Sequence, residues 1–191
     1  MEGSHIRLAI RNDGWESAEE GLQIALLRWL FKQWKNFSFD RILCGNGLCH
    51  LARFLLQHKP KRFSVDKDLR HRLTGDDPDP KVTHQLITKH ALDGTNVTCE
   101  TTLGLFMDIL GTMCQTGALL HNARRVLIAG GIPAGLIQHE NFTRYEAPFR
   151  TGLVETAEAK DVQFLKDCAV DIIRDPHGAG IRGAALLVAN I

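Results

Sequence analysis

Residues 126–135, Val-Leu-Ile-Ala-Gly-Gly-Ile-Pro-Ala-Gly, constrain the fold more than any other stretch of this chain. The apolar run at 126–129 is too short for a helix and rich in β-branched residues, so it reads as a buried strand. Gly130 and Gly131 lack the Cβ that would keep a flat ligand off the backbone, and Pro133 suits the first turn of a helix. A second unit repeats the pattern. The apolar run at 170–173 leads into Asp-Pro-His-Gly-Ala-Gly-Ile-Arg-Gly at 175–183 and a helical segment at 184–190. A third candidate strand, 39–44, ends at Gly45-Asn46-Gly47, after which Leu48, Leu51, Phe54 and Leu55 recur at helical spacing. Strands that end in glycine turns and lead into helices predict an α/β fold. In an open sheet such turns gather at the carboxyl ends of the strands, where nucleotides bind. On the residues alone they serve equally well as plain strand-to-helix connections.

A chain of 191 residues reads as one domain, able to bury about 70% of the surface its unfolded form exposes. Twenty-three basic and 22 acidic residues leave a net charge of +1, which gives no general attraction for nucleic acid or a membrane surface. Small neutral or phosphorylated ligands fit better. The five cysteines form no CxxC pair, so they read as reduced thiols used mostly as small core residues in a cytoplasmic protein. No apolar run of about 18 residues and no signal peptide stand out, so a soluble protein is expected.

Taken in order, Ile6, Leu8 and Ile10 alternate as in a strand, one that begins unusually close to the amino terminus. A helix is expected from about Ser17 to Lys35, with Leu22, Leu26, Trp29, Leu30 and Phe31 on its core face. Residues 57–81 are polar and broken by Pro60, Pro78 and Pro80, and are read as a surface loop excursion. Its basic cluster is offset by Asp76, Asp77 and Asp79. Helices are predicted at 82–92 and 97–120, the longer one packing across the sheet. Asp93-Gly94-Thr95-Asn96 mimics a phosphate loop, but it joins two helices instead of following a strand and is read as a decoy. Residues 140–166 show no clear period.

Five stretches in one order carry a more specific signal: Glu2-Gly3-Ser4-His5, Asp40 to Leu48, Ile87 to Leu92, Val126 to Ile132 and Gly178 to Leu186. Together they resemble the carboxyl-terminal part of bacterial-type glucokinases, nearly the whole chain being covered. The resemblance implies a partial actin-like, ribonuclease H-like ATPase domain, a mixed sheet flanked by helices that lacks the amino-terminal domain. It also implies glucose and ATP with Mg²⁺ as ligands. By motif, Glu2 and His5 would hold sugar hydroxyls, and Asp40 stands where the family has a further glutamate. Asn46 replaces the proline of the family's turn. Gly130 and Gly131 would lie against the adenosine, with Gly178, Gly180 and Gly183 closing nearby. Without the resemblance, Glu2 reads as a solvated end residue and His5 as a strand-edge histidine.

Phosphoryl transfer needs a carboxylate base, a metal ion and glycine-rich phosphate loops. The resemblance assigns the base, the DxGGTN loop and the GxGTG-type loop to a half that would precede Met1, and no catalytic residue or metal ligand is assigned in this chain. The expectation is a glucokinase-like portion that phosphorylates glucose at the 6-hydroxyl only when completed. Its completion would come from a longer polypeptide or from a separate amino-terminal half, and the unpaired sheet edge would favour association, including a homo-oligomer. The alternative is a non-catalytic, sugar-responsive binding or regulatory module.

Overall fold

The computed structural model describes residues 22–34, 38–74, 79–155 and 157–173. The strand expected at 6–10, the glycine turn at 175–183 and the helix at 184–190 lie outside the described residues.

The protein is a helix-rich α/β fold built around one long helix. Helix α5, Val97–His121, starts where the Asn96 side chain accepts the Cys99 N–H at 3.1 Å. It ends at Asn122, whose φ of 49° is the left-handed conformation that stops a helix. Leu103, Phe106 and Leu110 are buried on it, and so are Leu105, Ile109 and Thr112 on other sides, as expected of a helix enclosed by its neighbours. Its length and composition would suffice to cross a membrane, which the reading of the sequence had not anticipated. With 67% of its most apolar window buried within the fold, it is a core helix.

Two helices pack on one flank of it, and two more lie against those. Helix α1, Leu22–Gln33, buries Leu26 and Leu30 completely against α2, Gly45–His58. Helix α3 spans Lys67–Thr74. Helix α4, Pro80–Leu92, begins with Asp79 accepting the N–H groups of Lys81 and Val82, and its first residue is a proline. Both α2 and α4 pack on α5.

Three expectations need correction here. Residues 39–44 are not a strand. Phe39–Arg41 form a 3₁₀ turn, and Phe39 and Ile42 are buried while Asp40 and Arg41 between them are exposed. Burial at a spacing of three fits a helical turn, whereas a strand would bury alternate residues. The excursion at 57–81 is a surface loop only in part. Its middle is α3, where Asp66 accepts the Leu69 N–H at 2.8 Å and Leu69 and Leu73 enter the core with Phe63. The stretch 140–166 is also ordered, as a 3₁₀ turn over Glu140–Tyr145, then α7 at Glu146–Arg150, a π turn at Thr151–Glu155 and α8 at Ala159–Lys166. These short pieces pack on α5 through glycines. A Cβ on Gly111 would lie 2.2 Å from the Phe149 carbonyl oxygen, and one on Gly152 would lie 1.9 Å from that of Asp108.

Among the described residues the sheet has two strands, β1 at Arg125–Ile128 and β2 at Ala169–Ile172, paired in parallel with Arg125 opposite Ala169. The mixed sheet that was expected is therefore represented by one parallel pair. The glycine turn follows β1 as the sequence predicts and opens a short helix, α6, at Gly131–Leu136.

Candidate functional site

A cleft of about 1270 Å³ runs between the amino-terminal end of α2, the outward face of α4, the apolar side of α5 and the β1 glycine turn. All three sequence-predicted site residues that are described, Asp40, Gly130 and Gly131, line it. Glu2, His5, Gly178, Gly180 and Gly183 lie outside the described residues.

Asp40 sits in the 3₁₀ turn before α2, exposed, with one carboxylate oxygen accepting the Ser38 hydroxyl. The turn that follows is shaped by two close approaches. A Cβ on Gly47 would fall 1.8 Å from the Ile42 carbonyl oxygen, and one on Gly45 would fall 2.6 Å from His84 Nδ1. Glycine is thus required where α2 starts, and α4 is brought against Asp40's turn.

Gly130 and Gly131 play different parts. Gly130 adopts a φ of 151°, which disfavours any side chain. Gly131 has an ordinary φ, and a Cβ there would meet nothing within 4 Å. The backbone at Gly131 therefore faces open space, as a site for a flat ring against the main chain requires.

The sequence reading missed the contribution of α4. Lys81, His84, Gln85, Thr88 and Lys89 line the cleft, while Thr83, Ile87 and Ala91 of the same helix are buried. The signal was present as a polar stripe at spacings of three and four opposite an apolar one. Lys81, Lys89 and Arg125 supply fixed positive charge, and Asp40 is the one carboxylate among the described lining residues. The balance favours an anionic ligand. Arg125 also pairs with Asp171 at 3.2 Å, but both side chains are more than half exposed, so that pair contributes little.

The far wall is pinned to α4. His139 Nδ1 accepts the Asn141 N–H at 3.2 Å, which leaves the ring proton on Nε2, 3.9 Å from Asp93. Asn141 donates to the Leu92 carbonyl, and the Tyr145 hydroxyl donates to that of Ala91 at 2.8 Å. Burial pushes the Tyr145 phenol up to about 12, so it remains a donor at neutral pH. Cys114 also lines the cleft, and burial raises its thiol to about 12.

Among the described residues no group of three His, Cys, Asp or Glu side chains could hold a metal ion. The open space at Gly131, the apolar side chains of Phe106, Leu110 and Met113, and the cations Lys81 and Lys89 of α4 thus lie along one cleft. The described part of the cleft can bind and orient a ligand.

The Glucokinase family profile matches residues 1–191. The glucokinase of Helicobacter pylori (strain P12) is 28% identical over 190 residues, covering 99% of this chain and 49% of that protein. That of Caulobacter sp. (strain K31) is 29% identical, covering 99% of this chain and 48% of its own length. The crystal structure of a glucokinase from an Antarctic psychrotroph superposes with a TM-score of 0.58 at 22% identity, over 91% of this chain and 45% of that one, a likeness of fold. The chain spans about half the length of the curated relatives it matches. Matched over its whole length by the family profile, the chain belongs to the glucokinase family.

Proposed function

We propose that this chain is the carboxyl-terminal portion of an ATP-dependent glucose kinase, an actin-like ATPase that phosphorylates the sugar 6-hydroxyl, and that its cleft carries the adenosine side and part of the sugar site. The observation that supports this most directly is the meeting of Asp40 with Gly130 and Gly131 in one cavity, residues that are 90 positions apart in sequence. ATP with Mg²⁺ supplies the phosphoryl group. The Asp40 carboxylate accepts hydrogen bonds from sugar hydroxyls, and the aspartate side chain, one methylene shorter than a glutamate, reaches less far into the cleft. Glu2 and His5 add further sugar contacts in this reading. Gly131 admits the adenosine against the backbone, with Gly178, Gly180 and Gly183 nearby, and Lys81 and Lys89 attract the phosphates.

In this reading the catalytic aspartate and both phosphate loops are supplied by a further half, as the resemblance implies, and the chain forms glucose 6-phosphate only with it. Calorimetric titration with glucose, with and without Mg-ATP, tests the reading on the intact chain. Millimolar or tighter glucose binding that weakens about tenfold in Asp40→Asn, corresponding to ~1.4 kcal/mol, supports it. Sugar binding unaffected by Asp40→Asn would remove Asp40 from the site. Steady ATP-dependent formation of glucose 6-phosphate by the purified chain would refute its dependence on a further half. Glucose binding with no activity even after an amino-terminal half is supplied would favour a sugar-responsive regulatory module.

A further inference from the structure

The turn that carries Asp40 is held from two sides. From beneath, Phe39 and Ile42 are buried, and the N–H groups of Arg41 and Ile42 donate to the Ser38 and Phe39 carbonyls at 3.2 and 3.0 Å. From the flank it is held by a half-buried indole. Trp34 continues α1 by one residue, its N–H donating to the Leu30 carbonyl at 2.9 Å. The guanidinium of Arg41 lies over its ring, 5.4 Å from the centroid. The His50 imidazole of α2 packs edge to face with the same ring at 4.8 Å, and so does Trp29 of α1 at 6.3 Å. Trp29 is fixed in turn by donating its indole N–H to Gln57 at 2.8 Å. One side chain thus ties α1, α2 and the Asp40 turn together. It also keeps two neighbouring charges on separate partners, since the Asp40 carboxylate accepts the Ser38 hydroxyl while Arg41 rests on Trp34.

His50 gives this contact a dependence on pH. Burial first, then the charges of Arg53 on its own helix and Arg41 on the turn, hold the imidazole below the usual histidine value. The charged groups acting on it from the described elements are both cations. Neutral, His50 packs against the indole. Protonated, it is a third cation that repels Arg41 and competes with it for the electron-rich ring. The contact is therefore complete above about pH 6.5, the value of an unperturbed histidine, and weakens as pH falls below it. We propose that Trp34 is a positioning residue for the Asp40 carboxylate, engaging Arg41 while His50 is neutral and releasing it when His50 is protonated, a role that rests on the reading of Asp40 as a sugar ligand. Released, Arg41 leaves the turn less ordered and sets a free guanidinium beside the carboxylate, and both effects oppose sugar binding.

Amide exchange on the intact chain reads the turn without a ligand, and calorimetry with glucose reads the consequence. Trp34→Leu removes the ring, His50→Gln removes the titrating group, and Trp34→Phe keeps an aromatic ring should the leucine variant fold poorly. At pH 7.5 the Arg41 and Ile42 amides should exchange alike in the parent and His50→Gln, and about two- to fivefold faster in Trp34→Leu, the worth of one exposed cation–π contact. At pH 5.0 the parent should exchange about two- to fivefold faster than His50→Gln, and His50→Gln should change nothing once Trp34 is leucine. Trp34→Phe should fall between the parent and Trp34→Leu. Glucose affinity should follow the same order by the same factors. A merely structural Trp34 would lower stability with no pH-dependent difference between the parent and His50→Gln. Equal exchange in those two at both pH values, or a turn unchanged in Trp34→Leu and Trp34→Phe, would overturn the proposal. The expected exchange pattern in a chain that binds no glucose sinks the sugar reading and keeps the hold of Trp34 on the turn, whereas glucose binding indifferent to all three variants does the reverse.

Discussion

Replacing Gly131 and Gly47 by alanine, one at a time, separates a glycine that makes room for a ligand from one that makes room for the fold. At Gly131 a Cβ meets nothing within 4 Å, and the residue opens α6, so the substitution costs no packing. Helix propensity adds at most ~1 kcal/mol in favour of alanine. At Gly47 the Cβ would stand 1.8 Å from the Ile42 carbonyl oxygen and 2.3 Å from its carbon, where contacts under 3.0 Å are essentially never seen. The obstacle is backbone, so the start of α2 must move by more than about 1 Å. Overpacking of this kind costs ~1–3 kcal/mol, and more when backbone is the obstacle. For a chain of this size each kcal/mol lowers the melting temperature by roughly 2–4 °C, so Gly47→Ala should melt roughly 2–12 °C lower, toward the upper end because the obstacle is backbone. Thermal unfolding followed by circular dichroism reads both variants on the intact chain. Gly131→Ala should melt no lower than the parent and at most roughly 4 °C higher. It should bind ATP about tenfold more weakly, ~1.4 kcal/mol, because its methyl occupies the space reserved for the ring. Equal melting losses in the two variants, or an undiminished ATP affinity in Gly131→Ala, would refute this division of roles.

Tyr145→Phe deletes the hydroxyl that ties the 139–145 segment to the Ala91 carbonyl, and should cost ~1 kcal/mol, read as a melting temperature lower by roughly 2–4 °C. The buried thiols should make the fold sensitive to alkali. Burial holds Cys49 at about 11 and Cys99 and Cys114 at about 12, against 9.0 for a free thiol. Above pH 9 the unfolded chain loses these protons while the folded chain keeps them, so their stabilisation is complete below about pH 9 and is lost as pH rises toward 12. Denaturant titrations at pH 8 and pH 10.5 should show the lower stability at the higher pH. An equal loss of stability between pH 8 and pH 10.5 in Cys49→Ala/Cys99→Ala/Cys114→Ala and in the parent would show that the thiols carry no such linkage.

The legible parts of this chain were those in which one local rule acts alone. β-Branched residues followed by Gly130 and Gly131 marked the strand, turn and helix start, and each is there within a residue or two. The helices at 82–92 and 97–120 were legible from their apolar periods, and the structure adds what starts them: the Asp79 and Asn96 side chains, which accept orphaned N–H groups of the first turn. Residues 39–44 misled because Ile42, Leu43 and Cys44 are strand-like in type, whereas burial of Phe39 and Ile42 under neighbouring elements set the period at three. The leucines of α3 were hidden for a similar reason: two apolar residues among charges acquire a face only when α2 and α4 stand on one side of them.

The sequence by itself determined the family, the long core helix and the identity of the glycines, since order, period and backbone permissiveness are properties of the chain read locally. Only the tertiary structure decided that Asp40 and Gly131 share one cleft, that the polar face of α4 belongs to it, and that β1 pairs with β2 in parallel beside it. Those facts depend on distances between segments far apart in the chain, which are set by how helices close around α5 and by the register in which β1 meets β2.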